Sequence, residues 1–202
     1  VGSAFIGLLL LPHVKMITTA IGTVINKFTT LQPILMSILI CCSFAVLIIS
    51  PISTVAIGLA IQLNGVSAGA AAMGVAATAV ALVVHSWKVN KSGVTLAIAL
   101  GAMKLMMPNL FKYPVILIPC LSTAILSAIP VALFSVSGTP QSAGFGIVGL
   151  VGPLASIDAG LKVGLAAIVW FVVPIAAAIA SKILFEKVLK LYDSSVVFKF
   201  QE

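Results

Sequence analysis

The first carboxylate in this chain is Asp158, and everything before it is a succession of apolar runs separated by lysines and small polar turns. Residues 33–63, 66–87, 113–136 and 160–181 each reach the roughly 20 apolar residues that a helix needs to cross a hydrocarbon core of about 30 Å. Hydrophobic residues make up 61% of the sequence and charged ones 7%, and the mean hydropathy is +1.30. That leaves too little polar surface to wrap a water-soluble globule. The expectation is an all-α polytopic membrane protein.

The runs are not alike. Residues 33–63 are longer than one span needs and contain Ser50-Pro51, so that helix is expected to bend or break there, because proline lacks a donor and clashes with the preceding turn. Residues 94–107 and 143–157 are too short to cross. The opening run, 1–12, reads as the end of a helix whose beginning lies upstream of Val1, with no charged segment before it to mark a signal peptide. Residues 13–32 differ again. Val14, Ile17, Ile21, Val24, Phe28 and Leu31 recur at steps of three and four, while Lys15, Thr18, Asn26, Lys27 and Thr29 take other faces. This is the pattern of an amphipathic helix lying in the membrane interface.

Every basic residue is lysine, and the net charge is +7. The lysines are spread along the loops rather than gathered on one face among aromatics, which argues against nucleic acid. They read as topology signals, since short cytoplasmic loops are enriched in them. With a cytoplasmic C-terminus, every lysine except Lys162 falls inside if 94–111 and 138–157 enter and leave on one side as re-entrant hairpins. Lys162 is spaced to pair with Asp158, which is also placed to cap the helix from 160. On this reading residues 1–181 form the transmembrane domain and 182–202 a cytoplasmic tail carrying a Glu186–Lys190 pair.

The three cysteines, Cys41, Cys42 and Cys120, have no metal-ligand spacing to His13 or His85, so neither a metal nor a cofactor is expected. The run GFGIVG spells a dinucleotide fingerprint. That motif requires a strand before it and an acidic residue about 20 positions later, and here it follows an apolar helix, with Asp158 arriving too early. Its glycines serve close packing of a short helix instead, as do Gly65-x-x-x-Gly69 and Gly160-x-x-x-Gly164.

Irregular backbone at membrane depth is tolerated where it is buried in protein or lines a watery cavity, and paired broken segments mark solute sites in transporters. The first such segment carries Lys104 and Asn109; the second opens with Thr139, Gln141 and Ser142. Their amides and hydroxyls suit a small neutral polyhydroxylated solute. His85 is the one histidine able to approach such a cavity, with anchoring beside Trp87 as its alternative role. Lys104 can instead snorkel to the headgroups, and Asn109 can instead cap the helix broken near Pro108.

The blocks ISTVA (52–56), AGAAAMG, VNKSGVTLAIALGAMKLMMPN and SGTPQSAGFGIVGLVGP resemble the EIIC-like membrane proteins of the bacterial sugar phosphotransferase system, and within them the perfringolysin-regulator-like branch. The resemblance covers most of residues 1–180. It implies an EIIC-like fold in the bacterial inner membrane, a homodimer, a sugar-like solute, and separate cytoplasmic phosphocarrier proteins. It also marks a departure. Sugar-transporting members carry a Glu in a Gly-rich re-entrant motif, whereas this chain has no Glu before Glu186. At the matching positions Thr139, Gln141 and Ser142 hydrogen-bond but are poor bases, so no catalytic residue is expected on this chain, and at most it is the membrane subunit of a sugar phosphotransferase. The expected function is a permease domain for a small neutral solute. Its alternatives are a non-transporting sensor or regulator, or a lipid-binding protein, that keeps the permease fold.

Overall fold

Pro51 interrupts the first long run where the sequence places the break. In the computed structural model, which describes residue 16 and residues 19–201, helix α2 (Pro33–Ile49) ends two residues before the proline. Ser50 closes α2 through its N–H and hydroxyl. The chain restarts as α3 (Thr54–Ala60), whose N-terminus is capped by the Ser53 hydroxyl accepting from the Ala56 N–H at 3.3 Å. The opening run 1–12, and His13, Val14, Lys15, Ile17 and Thr18 of the amphipathic segment, lie outside the described residues.

Among the described residues, three helices are long and apolar enough to cross a membrane: α4 (Gly65–Ser86), Pro114–Leu133 and Val163–Val188. The second is a 3-10 turn (Pro114–Ile116) leading into α7 (Leu117–Leu133). The third joins α9 (Val163–Ala167) and α10 (Val173–Lys182) through a π-helical stretch, Ile168–Val172, and continues through a second one, Ile183–Val188. It therefore runs past residue 181, where the sequence suggested a tail. Neither short run forms a helix of spanning length. Residues 94–107 lie in α5 (Ser92–Ala99), a 3-10 turn and the start of α6 (Met107–Lys112). Residues 143–157 lie in two 3-10 turns and α8 (Val151–Asp158). At 1.5 Å per residue, α5 and α8 each extend only about 12 Å. Among the described residues there is no strand, only an isolated bridge between Gly65 and Gly138.

The centre of the molecule is α4. Its alanines, Gly69 and Gly74 are buried, and α2, α7 and α10 pack around it. Small residues are what let helices approach when lipid supplies no hydrophobic drive between them. A Cβ at Gly74 would overlap the Cys41 carbonyl of α2, and one at Gly69 the Val136 carbonyl after α7. Polar groups stitch the same faces: Cys41 Sγ donates to Ala124 O at 3.2 Å and Thr78 Oγ1 to Ala45 O at 3.3 Å. Not every glycine pair behaves as its spacing suggested. A Cβ at Gly65, Gly160 or Gly164 meets nothing within 4 Å, so only Gly69 of those two motifs packs tightly.

Residues 19–31 form α1. Gly22 and Thr29 are buried against the protein, whereas Ile21, Val24, Phe28 and Leu31 of the apolar stripe face outward. That turns the apolar stripe outward, while Asn26 on the polar face bonds the bundle at Gln62, Asn64 and Ser67. At the other end of the chain, two charge pairs differ from expectation. The sole ion pair among the described residues is Lys182–Glu186, at 3.9 Å. Asp158 ends α8 rather than pairing with Lys162, and Lys190, at φ +49°, has left the helix that Glu186 belongs to. Glu186 instead holds the Ser194 hydroxyl at 2.8 Å.

Candidate functional site

The second short segment begins with a closed turn. Thr139 N–H donates to Ser142 Oγ at 2.8 Å, Ser142 N–H donates to Thr139 Oγ1 at 3.2 Å, and the Ser142 hydroxyl donates to the Thr139 carbonyl at 3.0 Å. This reciprocal pairing has the logic of a capping box. It uses Ser142, which is buried, for the turn itself. Gln141 is left exposed and makes no hydrogen bond among the described residues, and the Thr139 hydroxyl keeps its proton to donate. The turn is fixed to the start of α4 by Gly138 N–H donating to Gly65 O at 2.9 Å.

Gly65 is also a wall of a cleft of about 590 Å³ between α1, the start of α4 and the end of α7. Its polar lining comes from Asn26, Thr29, Thr30, Asn64, Ser67 and Ser135, and all of its lining side chains are uncharged. Asn26 builds the floor. Its amide oxygen accepts from the Ser67 hydroxyl and from Asn64 N–H, and its Nδ2 donates to Gln62 O. The Asn64 amide and the Ser135 hydroxyl remain without partners among the described residues. Ser135 and the nearby Gln62 hold left-handed backbone, at φ +49° and +52°, a conformation that costs a non-glycine residue about 1–3 kcal/mol. Asn26 was legible only as part of a polar helix face. Asn64 sits in an Asn-Gly turn signal, but nothing in the sequence brings it to Asn26 or Ser135.

The first short segment meets the second at the α2–α3 break, at the opposite end of α2 from Pro33, which lines the cleft. Lys104 Nζ donates to the carbonyls of Ser50 at 2.6 Å and Ile52 at 2.8 Å, covering oxygens that the broken α2 leaves without helical partners. Two residues on, Thr54 Oγ1 donates to Gly144 O at 2.9 Å. The Ser50–Thr54 break is thus gripped by both short segments. They also touch directly: a Cβ at Gly101 would stand 2.9 Å from Val148. Gly146, at φ +58°, lies against the α4 backbone at Ala72 and Ala76, and Trp170 Nε1 donates to Ser156 Oγ at 3.0 Å, fixing α8 to the π-helical stretch.

His85 and Asn109 lie elsewhere, at the far end of α4. His85 is fully buried. Its Nδ1 is 2.7 Å from Ala81 O and its Nε2 is 3.0 Å from Tyr192 Oη. Of the two neutral tautomers, only the one with hydrogen on Nδ1 satisfies both, donating to the carbonyl and accepting from the phenol. Phe198 stacks on the ring at 4.7 Å. Asn109 donates both amide hydrogens to the tail, to Val197 O at 2.8 Å and Lys199 O at 2.7 Å, while Asn90 bonds Phe198 O and the Phe200 N–H, each at 2.8 Å. Of the six residues singled out from sequence, Thr139, Gln141 and Ser142 therefore share one turn, Lys104 lies beside the helix break, and His85 and Asn109 hold the C-terminal segment.

The family model described as "Phosphotransferase system, EIIC" matches residues 1–198. The chain belongs to that family. Comparison with curated proteins and with solved structures found no match. Membership makes this a membrane protein of the phosphotransferase system, and the all-α architecture with three spanning-length helices agrees with it. An EIIC domain implies a sugar as substrate and other phosphotransferase proteins as partners.

Proposed function

We propose that this EIIC domain binds a small neutral sugar in the cleft at the start of α4 and translocates it. The observation that carries this reading is the Gly138–Gly65 bond, which joins the exposed Thr139–Gln141 turn to an uncharged polar cleft large enough for a monosaccharide. The Asn64 amide, the Ser135 hydroxyl and Gln141 supply donors and acceptors for sugar hydroxyls, while Thr139 and Ser142 shape the turn. Lys104 steadies the Ser50–Thr54 break on which the turn rests; Asn109 and His85 brace the far end. On this reading the two short segments are re-entrant hairpins in the bacterial inner membrane, the α1 stripe lies in the interface, and the C-terminus is cytoplasmic. The lining groups hydrogen-bond but do not take up a proton at neutral pH, so phosphoryl transfer belongs to separate phosphocarrier proteins.

A second reading, a non-transporting sensor that keeps the permease fold, is favoured by the absence of any carboxylate before Asp158. Thermal shift of the detergent-purified chain against glucose, mannose, galactose, sorbitol and phospholipids separates the two. The permease reading expects one sugar to stabilise the protein by mass action, with Gln141→Ala and Asn64→Ala each weakening its affinity about tenfold through a lost hydrogen bond. A sugar effect left intact in both variants, or stabilisation by lipids alone, contradicts it.

A further inference from the structure

From Ser67 to Ser86, α4 is buried at every residue except Val80, Val83 and Val84. There the central helix reaches the outside of the bundle, and all three valines line one cavity of about 260 Å³, together with Ile147 and with Ile175 of α10. Every side chain lining it is aliphatic. A larger cavity, of about 600 Å³, continues it past the end of α4, with Val84 as a wall of both.

The two sides of this groove change character at the same level. One row runs Val80, Val84, Lys88 along α4 and the turn after it; the other runs Ile175, Ile179, Ile183, Lys187 along α10 and its π-helical continuation. Residues four apart stand one above the other on a helix, so each side is an apolar strip ending in a lysine. Ile175, Ile179 and Ile183 are exposed, which leaves the strip open to the surroundings of the bundle. Lys88 and Lys187 are exposed and make no hydrogen bond or ion pair among the described residues, and the exposed Ser195 beside them has a hydroxyl in the same condition.

The other charges lining the larger cavity are already used. Lys182 Nζ donates to Val84 O at 3.1 Å and His85 O at 3.5 Å, closing the end of α4, and pairs with Glu186. Glu186 also accepts from the Ser194 hydroxyl and N–H, and Asp193 from Ser195 N–H at 2.8 Å. Three lysines and two carboxylates leave the lining with a net charge of +1, the complement of a phosphodiester. Basic pockets between membrane helices take anionic headgroups in this way.

We propose that the α4–α10 groove is a site for an anionic phospholipid of the phosphatidylglycerol type. An acyl chain covers Val80, Val83 and Val84, and the phosphodiester is held by Lys88, Lys187 and the Ser195 hydroxyl. The site is separate from the sugar cleft at the start of α4 and does not depend on it. The test adds dioleoylphosphatidylglycerol, dioleoylphosphatidylcholine, chainless glycerophosphoglycerol or inorganic phosphate to the full chain in detergent and follows melting. Wild type is compared with the double variant Lys88→Gln/Lys187→Gln and with Lys91→Gln, which removes the same charge three residues from Lys88 but outside the groove. Phosphatidylglycerol should stabilise wild type by mass action well beyond phosphatidylcholine, and the two chainless anions should not. Its affinity should fall about tenfold or more in the double variant and stay near wild type in Lys91→Gln, with all three proteins melting alike before lipid is added.

An equal response to both lipids, or an equal loss in Lys91→Gln, would reduce the effect to general membrane affinity and overturn the proposal. Stabilisation by glycerophosphoglycerol or inorganic phosphate as strong as that by the lipid would make this a site for a free phosphate compound instead. No response to phosphatidylglycerol, from protein that is a dimer by light scattering, would give the groove to a second copy of the chain.

Discussion

Gly74 shows how much of this fold depends on single atoms. A methyl there would overlap the Cys41 carbonyl, so Gly74→Ala forces α2 and α4 apart and should cost about 1–3 kcal/mol, as overpacking does in a tight core. Gly164→Ala, where a Cβ meets nothing, should be neutral or gain up to about 1 kcal/mol from helix propensity. Melting temperatures of the two variants check both values. If they were equally destabilised, the scaffold would not be packed as described. The same contrast explains what residue-level reading reached. Polarity in an apolar chain drew attention to Thr139, Gln141, Ser142, Lys104, Asn109 and His85, but polarity cannot say whether a group faces a cavity or is already used. Ser142 is consumed by its own turn, and His85 by Ala81 and Tyr192. Asn64 escaped notice because its value comes from Ser67 and Asn26, the latter 38 residues away.

Among elements, the breaks were legible and the returns were not. Pro51 lacks a backbone donor, and that chemistry is local, so the α2–α3 interruption could be read directly; the shortness of 94–107 and 143–157 was equally plain. The docking of residues 192–201 was not, because it depends on pairs such as Asn90 with Phe200, 110 residues apart. Tyr192 gives that docking a pH signature. Burial, and then the negative charge of Glu186, push its phenol above the usual value of 10.0. Folding therefore favours the neutral form: the stabilisation is complete below pH about 10 and declines as pH rises beyond it. Tyr192→Phe removes the donor to His85 Nε2 and should cost about 1–3 kcal/mol for the buried acceptor left unpaired. The melting-temperature gap between wild type and Tyr192→Phe should be constant from pH 7 to pH 9 and close above about pH 10. A gap that narrows instead as pH falls would mean that Tyr192 is not the group holding the tail.

For the whole molecule, the arrangement is a buried Ala/Gly helix about 33 Å long at 1.5 Å per residue, with an uncharged polar cleft at its start and three interrupted segments gathered beside it. Permeases of broken helices bind solute where such interruptions meet and expose it alternately to either side, and membership of the EIIC family supplies the class of substrate. Counterflow of labelled sugar tests this most directly: the full chain is reconstituted into vesicles preloaded with the sugar that stabilises it, and uptake is compared with empty vesicles and with Gln141→Ala. The account predicts transient accumulation of label above the empty-vesicle level, greatly reduced in the variant. Uptake equal to that of empty vesicles, from protein that still binds the sugar, would contradict translocation and leave a sensor in its place.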